Sequence, residues 1–322
     1  MVLEVYLLNR VEEKRRIMKS FIGRNKKTLA ITLMMLPGTL WLIFLRYIPM
    51  AGIVIAFQDY RPHPPNPTLL NNIIHSNFVG LENFRFIFAT DRAWLMIRNT
   101  LGYNSLFIIL TTVLSVAIAI CLSELSRKFL AKLYQTLMFF PFFISWVVAG
   151  YFVFAFLDPS FGLLSGFRNW YFDPTGWPLI LTSAHLWKAV GFNSIIYLAA
   201  ISSIDQGMYE AAAIDGASKW RQVWAITIPS IKPMIIILFI LAVGRIFNAD
   251  FGLFWNIPQN SGPLQGVTEV IDTYVYRVMT SNIAGSMGMA TAAGLFQNVI
   301  GFICIMTANI IVRKVDNENA LF

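Results

Sequence analysis

From Glu210 to Pro229 the chain reads Glu210-Ala211-Ala212-Ala213-Ile214-Asp215-Gly216-Ala217-Ser218-Lys219-Trp220-Arg221-Gln222-Val223-Trp224-Ala225-Ile226-Thr227-Ile228-Pro229. The local signals predict a short helix, a glycine turn and a second short helix that ends before Pro229. Ala211 to Ala213 let another surface approach closely, and Gly216 permits a turn that a larger residue would strain. The segment is too polar to cross a membrane and too short to fold alone. It therefore reads as a docking element carried by its neighbours. Those neighbours are apolar: Leu179 to Ile204 holds one charge, Lys188, and Pro233 to Ala249 holds one, Arg245.

The same apolar character extends through the chain. Its 322 residues are 57% hydrophobic and 13% charged, about half the usual 25% charged share of a soluble domain. Mean hydropathy is +0.61. A water-soluble enzyme is excluded on these grounds, and disorder is excluded by 27 Phe and 9 Trp that demand burial. Stretches of about 20 apolar residues mark membrane helices. Six are expected, over about 28–57, 99–123, 137–157, 179–204, 233–252 and 286–312. The predicted fold class is an all-α membrane protein. Pro141 is expected to kink the third span. Gly294, Asn298 and Gly301 fall on one face of the sixth, which suits helix packing better than a pathway.

With six spans, residues 1–27, 124–136, 205–232 and 313–322 share one side. They hold 16 of the 25 Lys and Arg residues against 9 of the 17 acidic ones. Basic residues favour the cytoplasm, so both termini and the 205–230 loop are placed there. The net charge of +8 thus reads as a topological signal rather than a nucleic-acid footprint. Residues 1–27 form a basic segment with no Ala-x-Ala cleavage pattern, and 313–322 a short tail. Residues 4–20 admit two readings, a basic amphipathic helix on the inner leaflet or a solvated tail. The stretch 61–67, rich in proline, predicts an extended external loop, and Arg46 is placed at the outer end of span one.

Motifs for chemistry are lacking. The sequence holds no Gly-x-x-x-x-Gly-Lys-Ser/Thr loop, no His-Glu-x-x-His and no Gly-x-Ser-x-Gly. Cys121 and Cys304 lie in apolar runs and read as small hydrophobes. No catalytic, cofactor or metal site is expected.

The 210–229 segment resembles the EAA loop of permease subunits of ATP-binding-cassette importers, whose pattern is Glu-Ala-Ala, three residues, Gly, nine residues and Ile-x-Leu-Pro. Glu210, Ala211, Ala212, Gly216, Ile226 and Pro229 match, with Ile228 in place of Leu. Gly80-Leu81-Glu82-Asn83-Phe84, Phe140-Pro141 and Phe143-Ile144-Ser145-Trp146-Val147-Val148 are similar to the carbohydrate branch, the last to oligosaccharide and polysaccharide permeases. The resemblance implies a type I importer permease fold in the inner membrane of a prokaryote, surrounded by lipid. It also implies a second, similar permease, two ATPase subunits that hold the ATP and Mg, and an external solute-binding protein that delivers a saccharide. Glu210, Ala211, Ala212, Asp215, Gly216, Ile226, Ile228 and Pro229 would then form the coupling element for an ATPase subunit. A free-standing secondary transporter or channel, which needs no such loop, is the competing expectation.

A pathway needs polar groups facing the bundle interior. Span four offers His185, Trp187, Lys188, Phe192 and Asn193. Span five offers Gly244, Arg245, Asn248, Asp250 and Phe251. Several of these align with the sugar-lining positions of maltose-type permeases. Aromatic faces stack on sugar rings, and amides hydrogen-bond to hydroxyls. Lys188 and Arg245 admit attraction of an acidic saccharide such as a uronate oligomer. They also admit snorkelling to the outer interface or, for Arg245, pairing with Asp250.

Overall fold

The structure is a computed structural model that describes residues 28–63, 68–89, 91–125, 127–164, 166–280, 285–316 and 320. The basic segment 1–27, the prolines of 64–67 and most of the tail beyond 316 lie outside the described residues, and with them the two readings of 4–20. Two compact units divide between Val54 and Ile55.

The described part of the first unit is helical. It is the main part of helix α1, Thr28–Phe57, whose last three residues are counted with the second unit and which is long and apolar enough to cross a membrane. Arg46 lies on a wide π turn, Ile43–Tyr47, just before Pro49. Proline lacks an N–H and its ring crowds the carbonyl four residues back, and the wider turn absorbs both.

The second unit is almost wholly helical. A two-residue ribbon pairs β1 (Gln58–Asp59) with β2 (Asn77–Phe78) in antiparallel register, and the short helix α2, Leu69–His75, lies between them. Then come α3 (Asp91–Ser123), α4 (Lys128–Phe143), α5 (Trp146–Leu157) and α6 (Trp177–Ser202). They are followed by α7 (Gln206–Ile214), α8 (Lys219–Val243), α9 (Phe251–Asn256), α10 (Ile271–Thr280) and α11 (Ser286–Val315). Among the described residues four helices can cross a membrane singly, namely α1, α3, α8 and α11. Six spans result if α4 with α5, and α6 with α7, each count as one.

The bounds depart from expectation in three places. Span two starts at Asp91 rather than 99, because its polar first turns are anchored. Arg92 grips the buried Glu269 carboxylate at 2.8 and 3.0 Å, joined by Arg277 at 2.5 Å, and Asn99 donates to Glu269 O at 3.0 Å. Span three is not one kinked helix. α4 and α5 meet at 97°, and the break falls after Pro141, where Ser145 Oγ accepts from Val148 N and starts a new helix. Span five was expected over 233–252, yet α8 begins at Lys219 and ends at Val243. Residues 244–250 then leave the helix before α9.

The core is built on that second break. Leu253 and Phe254 of α9, with Ile257 just after it, are buried among Tyr103 and Phe107 of α3, Ala149 of α5 and Trp177 and Leu181 of α6. Close approaches fix the packing. A Cβ on Gly191 of α6 would fall 1.8 Å from Met138 O, and one on Gly150 would fall 2.7 Å from Asn256 O. Of the predicted face on span six, Gly301 packs tightly against Gly244 O, whereas Gly294 has open space.

Candidate functional site

The docking segment is capped at every end. Asp205 accepts from Gly207 N at 3.0 Å and starts α7. At its other end Gly216 has φ +76°, a left-handed backbone that favours glycine. Gly216 N donates to Ala213 O and Ala217 N to Ala212 O, the paired bonds of a Schellman turn. Ser218 then caps α8 through Arg221 N. Asp215 is the C-cap residue of α7. Asp205 does the capping, so Glu210 is free of that role. Among the described residues it makes no side-chain hydrogen bond or ion pair, and it lies exposed beside Ala211.

The second helix does not end before Pro229. It continues as one helix to Val243. A π turn over Val223–Thr227 precedes Pro229, as another precedes Pro49. Ile226 is buried there, Ile228 half-buried and Pro229 exposed. Tyr209 Oη lies 2.9 Å from Thr227 Oγ1, tying α7 to this turn, and Lys219 pairs with Glu124 at 2.9 Å. Ile214 is 87% exposed, Trp220 70% and Trp224 57%. Exposed apolar groups of this kind mark a surface for contact with a protein or with the membrane.

A cavity of about 650 Å³ lies between α3, α6, α8 and the 244–250 break. From α6 it takes His185, Ala189, Asn193 and Tyr197, four residues at helical spacing. Arg245, Asn248, Asp250 and Phe251 complete the side formed by the break. Six of the ten predicted pathway residues thus share one wall. The other four do not line it. Trp187 faces an apolar groove with Phe152, Phe156 and Leu179. Phe192 stacks on Phe142 with ring centres 4.4 Å apart. Gly244 packs on α11, where a Cβ would strike Ile305. Lys188 Nζ donates to Phe142 O at 2.9 Å and to Ile144 O, the freed carbonyls at the end of α4.

Three features of the cavity were not expected. Asn104, Phe107, Ile108, Thr111 and Thr112 of α3 form its facing wall. Their spacing, i, i+3, i+4, i+7 and i+8, is a helical stripe with three polar members, a signal present in the sequence. His185 stacks on Phe107 with centres 4.0 Å apart. The break is also propped from a distance. Asn104 Nδ2 donates to Ile246 O at 2.7 Å, Gln297 Nε2 to Phe247 O at 2.8 Å, and Ala249 N to Asp272 Oδ2 at 2.8 Å. Burial pushes the Asp272 carboxyl above its ordinary range, opposed by the bonds from Ala249 and Gln297.

The charges differ in their commitments. Asp250 accepts from Trp146 Nε1 at 2.7 Å and from Leu253 N at 3.3 Å. Arg245 is exposed on the wall and, among the described residues, has no ion pair or side-chain hydrogen bond. Of the alternatives for Arg245, pairing with Asp250 does not form among the described residues. The wall therefore offers aromatic faces, amides, hydroxyls and one unneutralised guanidinium, groups that together suit a polyhydroxylated anion.

Comparison with known proteins bears on both features. The profile of the binding-protein-dependent transport system inner membrane component matches residues 112–317. Protein LplB of Bacillus subtilis (strain 168) is 32% identical over 308 residues, 93% of each chain. The polygalacturonan/rhamnogalacturonan transport system permease protein YteP of the same strain is 33% identical over 316 residues, 95% of this chain and 94% of the relative. Among solved structures, a chain of a bacterial ABC transporter involved in import of the acidic polysaccharide alginate superposes with TM-score 0.77 at 29% identity, covering 90% of this chain and 97% of that one. A chain of the bacterial alginate transporter in complex with an alginate pentasaccharide-bound periplasmic protein gives TM-score 0.77 at 30% identity, covering 90% and 96%.

Proposed function

The chain belongs to the family of binding-protein-dependent transport system inner membrane components, and we propose from that premise that it is the permease through which an ABC importer takes up an acidic saccharide. The observation that carries the acidic character is Arg245, a cation on the cavity wall that makes no ion pair or side-chain hydrogen bond among the described residues. A cation at membrane depth with no partner of its own is costly to keep there, and an anionic substrate would compensate it. Relatives named for polygalacturonan and for alginate carry acidic polymers, which supports the same choice.

The chain works with a second permease, two ATPase subunits that bind the ATP and Mg, and an external binding protein, in the cytoplasmic membrane of a prokaryote. Both termini and residues 205–230 face the cytoplasm. Segment 205–230 docks on an ATPase subunit, with Glu210, Ala211, Ala212 and Ile214 at the contact. ATP-driven closure of the ATPases displaces α7. The displacement passes through the Schellman turn at Gly216 and the Tyr209–Thr227 contact into α8. That helix runs 25 residues, roughly 37 Å at 1.5 Å per residue, and it ends at the break that lines the cavity. A rigid-body motion at one end thereby opens or closes the cavity at the other.

The test is uptake by the assembled transporter in proteoliposomes, with a galacturonate trisaccharide and its carboxyl-reduced counterpart. Arg245→Gln is expected to slow the acidic sugar about tenfold, since a hydrogen bond to a charged group contributes about 1.5–3 kcal/mol. The neutral sugar should change less than about twofold. Equal slowing of both would sink the acidic assignment.

A further inference from the structure

Arg245 and Asp250 line one cavity five residues apart and carry opposite charges, yet they form no ion pair among the described residues. Opposite charges lining one cavity attract, and competing partners for one of them oppose that pairing. Asp250 has such partners on both oxygens. Leu253 N donates to Oδ1 and the Trp146 indole N–H to Oδ2, the latter at 2.7 Å.

Trp146 is itself held in place. It is the first residue of α5, set by the Ser145 cap after the α4 break. Its indole lies against Gly252, where a Cβ would come within 2.3 Å of the ring. The Lys188 ammonium sits 5.2 Å from the ring centre while bound to the carbonyls of Phe142 and Ile144. Lys188 is therefore already bonded, and Arg245 is the cation lining the Asp250 cavity that makes no side-chain bond among the described residues.

We propose that Trp146 is a positioning residue that holds the Asp250 carboxylate away from Arg245, and so keeps the guanidinium unneutralised for a carboxylated saccharide. The device joins two helix breaks, that of α4–α5 and that of α8–α9. It rests on the acidic-substrate reading. Without the indole N–H, Asp250 turns to Arg245, and the cavity loses its positive site although no cation has been removed.

The experiment compares uptake of a galacturonate trisaccharide by reconstituted transporter carrying Arg245→Gln, Trp146→Phe, or Trp146→Phe combined with Asp250→Asn. Phe keeps the aromatic packing, and Asn still caps α9. Trp146→Phe is expected to slow uptake about as much as Arg245→Gln, on the order of tenfold, and the double variant to return within about twofold of the parent. A merely structural role for Trp146 predicts no rescue, because removing a second native group deepens packing damage. Slow uptake in Arg245→Gln with unchanged uptake in Trp146→Phe overturns this proposal alone, as does slowing that Asp250→Asn leaves unrelieved. Unchanged uptake in Arg245→Gln overturns the acidic-substrate reading and this proposal with it.

Discussion

Lys188 donates into the α4–α5 break, whereas Arg245 stands free on the cavity wall, although the two look alike in sequence as single cations in apolar runs. The reason for the difference is backbone chemistry. Ending α4 at Phe143 leaves carbonyls with no helical partner, and within a membrane these need a donor from elsewhere. Lys188 supplies it, and its charge also complements the negative end of α4. Lys188→Met should therefore lower stability by about 2 kcal/mol, read as an earlier thermal transition in detergent. The ratio of acidic to neutral sugar uptake should stay unchanged. A selective loss of acidic uptake would instead place Lys188 in the pathway. Of the residues singled out by type and by family alignment, His185, Asn193, Asn248 and Phe251 line the cavity. The same signals also gave Trp187, Phe192 and Gly244, which pack elsewhere, because a sequence shows which helix a residue is on but not which neighbour covers it.

The elements divide in the same way. α1 and α11 are readable because long apolar runs between charges leave few alternatives. The turn of the 210–229 segment is readable too, since the Gly216 signal is local. The breaks after Phe143 and Val243 are not, because apolar residues run through the first and flank the polar positions of the second on both sides. Each break is tolerated only because Lys188, Asn104, Gln297 and Asp272, distant in sequence, bond the freed backbone. The reach of α8 back to Lys219 is hidden for a related reason, since a π turn lets Pro229 sit inside a helix that proline would be expected to start or stop. Gly216 tests the segment as an element. At φ +76° a β-branched side chain costs about 1–2 kcal/mol in the left-handed region. Gly216→Val should thus weaken co-purification of the ATPase subunits roughly tenfold or more, while the chain still reaches the membrane in normal amount. Full retention of the ATPases would contradict the coupling role.

At the scale of the molecule, the account joins a rigid docking segment to a charged cavity through one continuous helix. The charge division of the sequence fits this arrangement, with the docking segment on the basic side and the cavity within the apolar part. Import driven by partner ATPases differs from transport by a free-standing carrier in what powers it, and that difference is directly measurable. The decisive experiment is uptake of a galacturonate trisaccharide by the complete transporter in proteoliposomes, with ATP and Mg enclosed or omitted, and with a proton or sodium gradient imposed or absent. The account predicts uptake whenever ATP is enclosed, none with a gradient alone, and loss of ATP-driven uptake in Gly216→Val. Uptake driven by the gradient without ATP, undiminished by Gly216→Val, would contradict it.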